Sequence, residues 1–413
     1  MKLAIARVEW NGQTVPLDRS SRIDYRSTLS MLPHQDNGNT SDPSRRGFLT
    51  ATTMAAAALA GGPAFGRGHS TGNAASGKLK IKLAGYEYDR VAALKDERVQ
   101  IAGCDSEFEP AKIGEMNAHI FSGPKTREVT EIGLLPFILA VANEDFKDYT
   151  LLPVFPLRVF RHKSIFIRTD RDITKPEDLR GKRIATPGYS STSLTWIRGI
   201  MQHEYGVKPE EIEWVVSSKD SSAKASGKPS KLENVIPNGI TIRTGPKGKD
   251  ESELLVDGEV DALFHAIEPK AFQEGHPKVA RLFPDSRKTE RDYFKKTGIF
   301  PIMHAVAVRK DVIAAHPWLP KAVFDAYSQA KQLTYEAIKL TAWFKTSLPW
   351  IAQEAEETRQ LMGENYWPYA IEPNRKALNA LLQFSYEQGL AKRKLKIEEL
   401  FHASTFDLKE ASA

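Results

Sequence analysis

Two segments far apart in the chain share one design. Ser164-Ile165-Phe166-Ile167-Arg168-Thr169-Asp170 and Ala305-Val306-Ala307-Val308-Arg309-Lys310-Asp311 are apolar runs that end in Arg-x-Asp before a helical start. Short apolar runs bounded by charge read as buried strands. Between them, residues of about 170–300 carry their own alternation of strand and helix patterns. Such alternation implies an α/β fold with parallel sheets. A second lobe is therefore expected inside the first, with the two echoing strands carrying the chain across. Two crossings make a hinge, and a hinge between two α/β lobes makes a ligand cleft.

The remaining pattern agrees with this. Leu79–Gly85 alternates apolar and polar residues and predicts a strand, followed by a helix after Arg90. Ile113–Phe121 predicts a helix, and Glu131–Phe137 a buried strand turning into a helix. Lys175–Ala185 reads as one helical turn, a glycine stop and a strand; a helix to Met201 follows the hydroxyl-rich Ser190–Ser193. Residues 217–231 are rich in Ser, Lys and Gly and predict a mobile surface loop. Glu251–Asp257 predicts a helix, Val260–Phe264 a strand, and the chain from Pro317 to about Leu400 is mainly helical. Gly103-Cys104-Asp105 reads as a turn.

The N-terminal part is different in kind. Arg45-Arg46 directly precedes an Ala-rich apolar run, Thr50–Ala60, and then small residues around Ala64-Phe65-Gly66. This is the pattern of a twin-arginine export signal. The expected organisation is an extension at 1–43 (with Met31 as an alternative start), a signal at 44–66, a linker at 67–78, a first lobe at 79–163, a second at 164–304, and a return to the first at 305–405 with C-terminal helices. The expected location is periplasmic.

Composition excludes several classes. The chain has 413 residues, 41% hydrophobic and 27% charged, and its net charge of +6 is mild for this length. No basic run interleaves with aromatic residues, so no nucleic-acid partner is expected. No apolar stretch reaches the roughly 18–20 residues of a membrane span, and no cysteine follows the signal to carry a lipid, so no membrane anchor is expected. The single Cys104 rules out an internal disulfide and every cysteine-based metal framework; it reads as an inert thiol. No His-x-x-x-His pair, phosphate loop, dinucleotide fingerprint or nucleophile elbow occurs. No metal or other cofactor is expected, and the protein is expected to be monomeric.

Lys175–Pro187 and Leu254–Leu263 resemble segments common in type II periplasmic solute-binding proteins, in the branch of nitrate, sulfonate, taurine and thiamine-precursor binders. Tyr86–Arg90, Val154–His162, Trp196–Ile200, Thr297–His304, Trp367–Tyr369 and Glu372–Arg375 resemble the 4,5-dihydroxyphthalate decarboxylase family. The resemblance covers nearly all of 79–405. It implies a two-lobed, type II periplasmic-binding-protein-like fold with two crossover strands. An export signal departs from the pattern of a cytoplasmic ring-degrading enzyme.

Candidate ligand residues follow from position. Ser190, Ser191 and Thr192 lie between a strand and a helix, where free N–H groups attract anions and hydroxyls add donors. Capping alone needs one hydroxyl. Arg158, Arg161 and His162 fall at the first crossing, and arginine grips a carboxylate with two parallel bonds. Arg158 and His162 are assigned to the cleft and Arg161 to the outside. Tyr86 and Arg90 follow the first strand, beyond the strand ends where open α/β sheets bind ligands. His265 follows a strand in the same way, with Glu268 close behind. Phe300 and His304 lie beside the second crossing. Trp367 and Tyr369 are expected to anchor late helices.

Two functions fit. The favoured one is an exported binding protein that captures a small aromatic carboxylate and hands it to the permease of an ABC-type transporter. The alternative is a cofactor-independent decarboxylase of the 4,5-dihydroxyphthalate type, with His162 or His304 as general acid and Arg158 holding the second carboxylate.

Overall fold

A computed structural model describes Val8–Trp10, Gln13–Val15 and residues 77–411. The expected signal at 44–66 and the linker up to residue 76 lie outside the described residues. Within Met1–Asn73, β1 (Val8–Trp10) and β2 (Gln13–Val15) pair as an antiparallel hairpin. Ala74–Ala413 is a separate compact unit.

That unit begins β3 (Leu79–Gly85), α1 (Asp89–Lys95), β4 (Cys104–Pro110), α2 (Ile113–Phe121), β5 (Val129–Gly133), α3 (Leu134–Glu144), β6 (Tyr149–Leu152). It continues β7 (Ile165–Arg168), β8 (Arg183–Thr186), α4 (Thr192–Tyr205), β9 (Glu213–Val216), α5 (Ala223–Ser226), β10 (Ile242–Thr244), α6 (Glu251–Asp257), β11 (Ala262–Phe264), α7 (Lys270–Gln273), β12 (Val279–Arg281), α8 (Ser286–Thr297). It ends β13 (His304–Arg309), α9 (Lys310–Ala315), α10 (Leu319–Lys339), α11 (Ile351–Met362), α12 (Arg375–Glu387). One sheet has the order β4-β3-β5-β13-β6, the other β10-β9-β8-β11-β7-β12. The unit is thus two-lobed, with one sheet to each lobe.

The echoing segments are β7 and β13, and they are the strands that run against their sheets. β7 is antiparallel to β11 and β12, and β13 to β5 and β6. By contrast β3, β4 and β5 are parallel to one another, as are β8, β9, β10 and β11. The sheets are therefore mixed rather than purely parallel. The cause is chain path. Each echo is the first strand after a crossing, so it enters its sheet from the edge where the parallel strands end. The crossings themselves precede the echoes and run side by side. Arg158 bridges Ile302, the Val159 N–H donates to Pro301 O at 3.1 Å, and the Met303 N–H donates to Leu157 O at 2.8 Å. Both Arg-x-Asp endings make a local ion pair, Arg168 with Asp170 and Arg309 with Asp311.

Each sheet buries its own core. Ile81, Leu83, Ile132, Leu151, Val306 and Phe324 pack in the first lobe, and Ile165, Ile184, Ile197, Trp214 and Phe264 in the second. Helix α4 ties the lobes together: its Trp196 donates to Ile302 O at 2.9 Å, and Thr192 Oγ1 accepts from the Leu135 N–H at 3.1 Å.

Two local expectations change. Cys104 opens β4 rather than sitting in a turn, because Gly103 at φ +78° makes the turn one residue earlier. Residues 217–231 are not a free surface loop. They contain α5, Ser217 and Ser230 are buried, and Lys228 O lies so close to Gly114 that a Cβ there would meet it at 2.2 Å.

Candidate functional site

The carboxyl ends of β3, β5, β8, β9 and β11 face one cavity of about 460 Å³ between the two sheets. That is enough for a single substituted aromatic ring. One wall comes from the first lobe and the crossings, through Tyr86, Tyr88, Gly133, Leu157 and His304. The other comes from the second lobe, through Ser191, Thr192, Asp220, Ser222 and His265.

The first wall is organised by Glu131, whose carboxylate is 2% exposed. Its Oε2 accepts from the Tyr86 backbone N–H at 3.0 Å, its Oε1 accepts from the Tyr88 hydroxyl at 2.9 Å, and its Oε1 also bonds His304 Nδ1. The pairing of His304 with Gly133 across β13 and β5 sets this geometry, because Glu131 lies two residues up the same strand. The Tyr86 ring stacks on the His304 ring with centroids 6.0 Å apart. Burial and then the Glu131 charge push the Tyr88 hydroxyl far above its ordinary pKa, so it remains a donor at any working pH.

The second wall is looser. His265, 1% exposed, has Nδ1 2.6 Å from Ile267 O. Its Nε2 is 3.4 Å from Ser221 Oγ and 4.0 Å from carboxylate oxygens of both Asp220 and Glu251. Burial opposes charge on His265, but Asp220 and Glu251 outweigh it and raise the pKa. Asp220 is likewise penalised by burial yet lowered overall by His265 and Ser222.

Of the residues picked out in the sequence, Tyr86, Ser191, Thr192, His265 and His304 line the cavity. Others have different occupations. Ser191 caps α4, accepting from the Leu194 N–H, while Ser190 is buried and donates to Leu232 O at 2.9 Å. Arg90 lies between the Tyr88 and Trp367 rings and donates to Pro156 O. Glu268, exposed, pairs with Arg281. Trp367 donates to Phe155 O and Tyr369 is fully buried.

The expected roles of Arg158 and Arg161 are reversed. Arg158 is buried against the Phe300 ring and donates to Phe300 O at 2.7 Å and Pro368 O at 3.3 Å, with no carboxylate partner among the described residues. It is a brace between the second crossing and the C-terminal part, and Phe300 stacks on Phe160 rather than facing the cavity. Arg161 lines the cavity. It is 6% exposed, its Nη1 donates to Ala266 O at 3.3 Å, and its Nε has no partner among the described residues. Burial drags its pKa down to about 10, which leaves it charged at neutral pH. In the Val159–Lys163 stretch the chain passes from bridge to short helix, so a shift of three residues turns the side chain from the C-terminal helices to the cavity.

His162 also faces away. Its ring packs among Tyr205, Phe283 and Tyr293, and both nitrogens are buried without partners among the described residues. Burial pushes its pKa down to about 4, so it is neutral at pH 7 and unsuited to donate a proton. Burial raises the Cys104 thiol to about 11, as an inert thiol requires.

Comparison with known proteins gives the affiliation. The chain is 34% identical over 335 residues to a 4,5-dihydroxyphthalate decarboxylase of Comamonas testosteroni, covering 80% of this chain and 98% of that protein. The chain belongs to the 4,5-dihydroxyphthalate decarboxylase family. A relative of the same description from Pseudomonas putida is 32% identical over 218 residues, covering 53% of this chain and 82% of that one. The family described as NMT1/THI5 like matches residues 157–228, from the first crossing through α4 to α5. Among solved structures, a periplasmic sulfonate-binding protein of Methylobacillus flagellatus is similar at a TM-score of 0.48 and 14% identity, over 79% of this chain and 93% of that one. A desulfurization enzyme, DSZB, is similar at a TM-score of 0.43 and 14% identity, over 79% and 97%. Glu131, Tyr88, Asp220 and Glu251 are features of this site that residue-by-residue reading passes over, and Arg161 is one that it places outside. Only Glu131 left a plain signal: a lone carboxylate inside the apolar run Val129–Phe137.

Proposed function

We propose that this chain is a decarboxylase acting on an aromatic dicarboxylate of the 4,5-dihydroxyphthalate type. The observation that carries this reading is the buried Glu131–His304 pair on the cavity wall, held by Tyr86 and Tyr88. A passive carboxylate receptor needs only cationic and neutral donors, with no requirement that a proton be held at a fixed point. An enzyme that must place a proton on carbon has that requirement.

The reaction follows from the substrate's chemistry. Arg161 pairs with the carboxylate that stays. His304, oriented by Glu131, gives a proton from Nε2 to the ring carbon that bears the departing carboxylate. The hydroxyl para to that carbon stabilises the cationic ring. The C–C bond then breaks, its electron pair restores the aromatic ring, and carbon dioxide leaves. The balance is one proton consumed and one carbon dioxide released per turnover, with 3,4-dihydroxybenzoate as product. Tyr86, stacked on His304, extends an aromatic surface for the ring.

The first test is product formation. Purified protein mixed with 4,5-dihydroxyphthalate should yield 3,4-dihydroxybenzoate; heat of binding without product would reject the enzyme reading. A second reading, an exported receptor serving a transporter, is favoured by Arg45-Arg46 before the Ala-rich run. Changing both arginines to lysine should trap precursor in the cytoplasm, and unchanged export would remove that support.

A further inference from the structure

We propose that Asp220, Glu251 and His265 form a divalent-cation site opening on the cavity. The three side chains come from separate segments: the stretch after β9, the first residue of α6, and the residue after β11. No sequence spacing announces them, which is why reading for His-x-x-x-His pairs leads to the expectation of no metal. Folding brings their ligating atoms within 4.8 Å of one another.

The geometry suits an ion better than a direct contact. His265 Nε2 is 4.0 Å from Glu251 Oε2 and 4.0 Å from Asp220 Oδ1. That is too long for a hydrogen bond. Around one ion with bonds of about 2.0–2.2 Å, two ligand atoms lie roughly 3–4 Å apart. The ring is held as well. His265 Nδ1 is engaged by the Ile267 backbone, 2.6 Å from its O and 3.0 Å from its N, which turns Nε2 toward the two acids. Metal-binding histidines are oriented in this way by a carbonyl on the other nitrogen. Glu251 is held in turn by Ser217 Oγ at 2.6 Å and the Ser221 N–H at 3.2 Å, both neutral donors.

Charge leads to the same place. Glu251 and His265 are essentially unexposed and Asp220 is half-buried at the cavity, so two carboxylates facing one imidazole leave net negative charge in a largely buried site. A divalent cation neutralises it. One nitrogen and two carboxylate oxygens suit manganese or zinc. Because Asp220 and His265 line the cavity, the ion would keep open positions toward a ligand. On the decarboxylase reading those positions take the two adjacent hydroxyl oxygens of the ring; the site itself does not depend on that reading.

The test uses full-length protein stripped with a chelator and titrated with manganese chloride or zinc chloride, with no aromatic compound present. One equivalent should bind per chain. Asp220→Asn and Glu251→Gln, which preserve shape, should each weaken binding at least about 100-fold, since even outer-shell changes cost 10–100-fold. Thermal unfolding of the stripped variants checks that they are folded. Bound manganese in the wild type should also carry nitrogen coupling from His265, a readout that needs no variant. Absent saturable uptake, uptake retained in both variants, or manganese without nitrogen coupling would overturn the proposal. Metal uptake without carbon dioxide release would leave the site standing and remove the decarboxylase reading alone.

Discussion

The two walls of the cavity are built on opposite plans. On the first-lobe wall Glu131 is engaged on both carboxylate oxygens: it accepts from Tyr86 and Tyr88 and bonds His304. On the second-lobe wall His265 stands 3.4–4.0 Å from Ser221, Asp220 and Glu251. The first arrangement is preorganised, so it can hold a proton at a fixed point without rearranging. The second is spaced for something to come between its members. The difference supports the proposals above, that His304 on the first wall delivers the proton and that the Asp220, Glu251 and His265 cluster on the second receives an ion.

The largest effect should come from breaking the first wall. His304→Gln keeps a polar side chain at that place but removes the transferable proton, and turnover should fall by about 10²–10⁴-fold. Substrate affinity should stay within a few fold, because a general acid acts mainly in the transition state. A parallel rise in KM with kcat unchanged would make His304 a binding residue instead.

Next in size is the contrast between the two arginines of the first crossing. Arg161→Ala should weaken binding of an aromatic dicarboxylate by roughly 10- to 150-fold, the worth of a charge-assisted bond of about 1.5–3 kcal/mol. Arg158→Ala should leave affinity nearly unchanged and lower the melting temperature, since it removes a buried brace bonded to Phe300 O and Pro368 O. Calorimetry on both variants checks this, and equal losses of affinity would place Arg158 at the cavity.

His162 sharpens the comparison between cavity histidines and a structural one. Its folded pKa of about 4 lies below the ordinary 6.5, so the unfolded chain binds a proton first as pH falls. Stability contributed by the neutral ring is complete above pH 6.5 and is lost as pH falls toward 4, by roughly 2–4 kcal/mol in full. Denaturant unfolding should show that His162→Phe loses less stability than the wild type over this window. An identical pH profile would mean that His162 is not held neutral.

The smallest effect tests the hinge. The paired crossings at Leu157–Val159 and Pro301–Met303 are bonded to each other. Lobe closure about them should lower the radius of gyration by about 0.5–1 Å in solution scattering with saturating ligand. No change would mean that the cavity is already closed.

What was legible in the sequence was local pattern, and what was hidden was lateral assembly. Ile113–Phe121 and Glu251–Asp257 were readable to the residue because amphipathic spacing and a stop signal lie within the helix itself. The strand-end rule found Tyr86 and His265, each directly after an apolar run, and position beside the second crossing found His304. Arg158 and Arg161 were interchanged because three residues in an irregular crossing carry no period from which a facing direction follows. Asp220 was hidden in a stretch whose composition is that of a loop, though packing against Gly114 and Tyr86 makes it a wall. The antiparallel sense of β7 and β13 was equally hidden, because apolar runs have no direction.

The proposal that His304 delivers a proton to ring carbon is tested most directly by running the reaction in deuterium oxide. Wild-type protein should convert 4,5-dihydroxyphthalate to 3,4-dihydroxybenzoate carrying one deuterium at the vacated carbon. His304→Gln should bind the substrate with similar affinity and form the labelled product at least about 100-fold more slowly. Substrate that binds the wild-type protein tightly and is recovered unchanged, with no labelled product, would contradict the account.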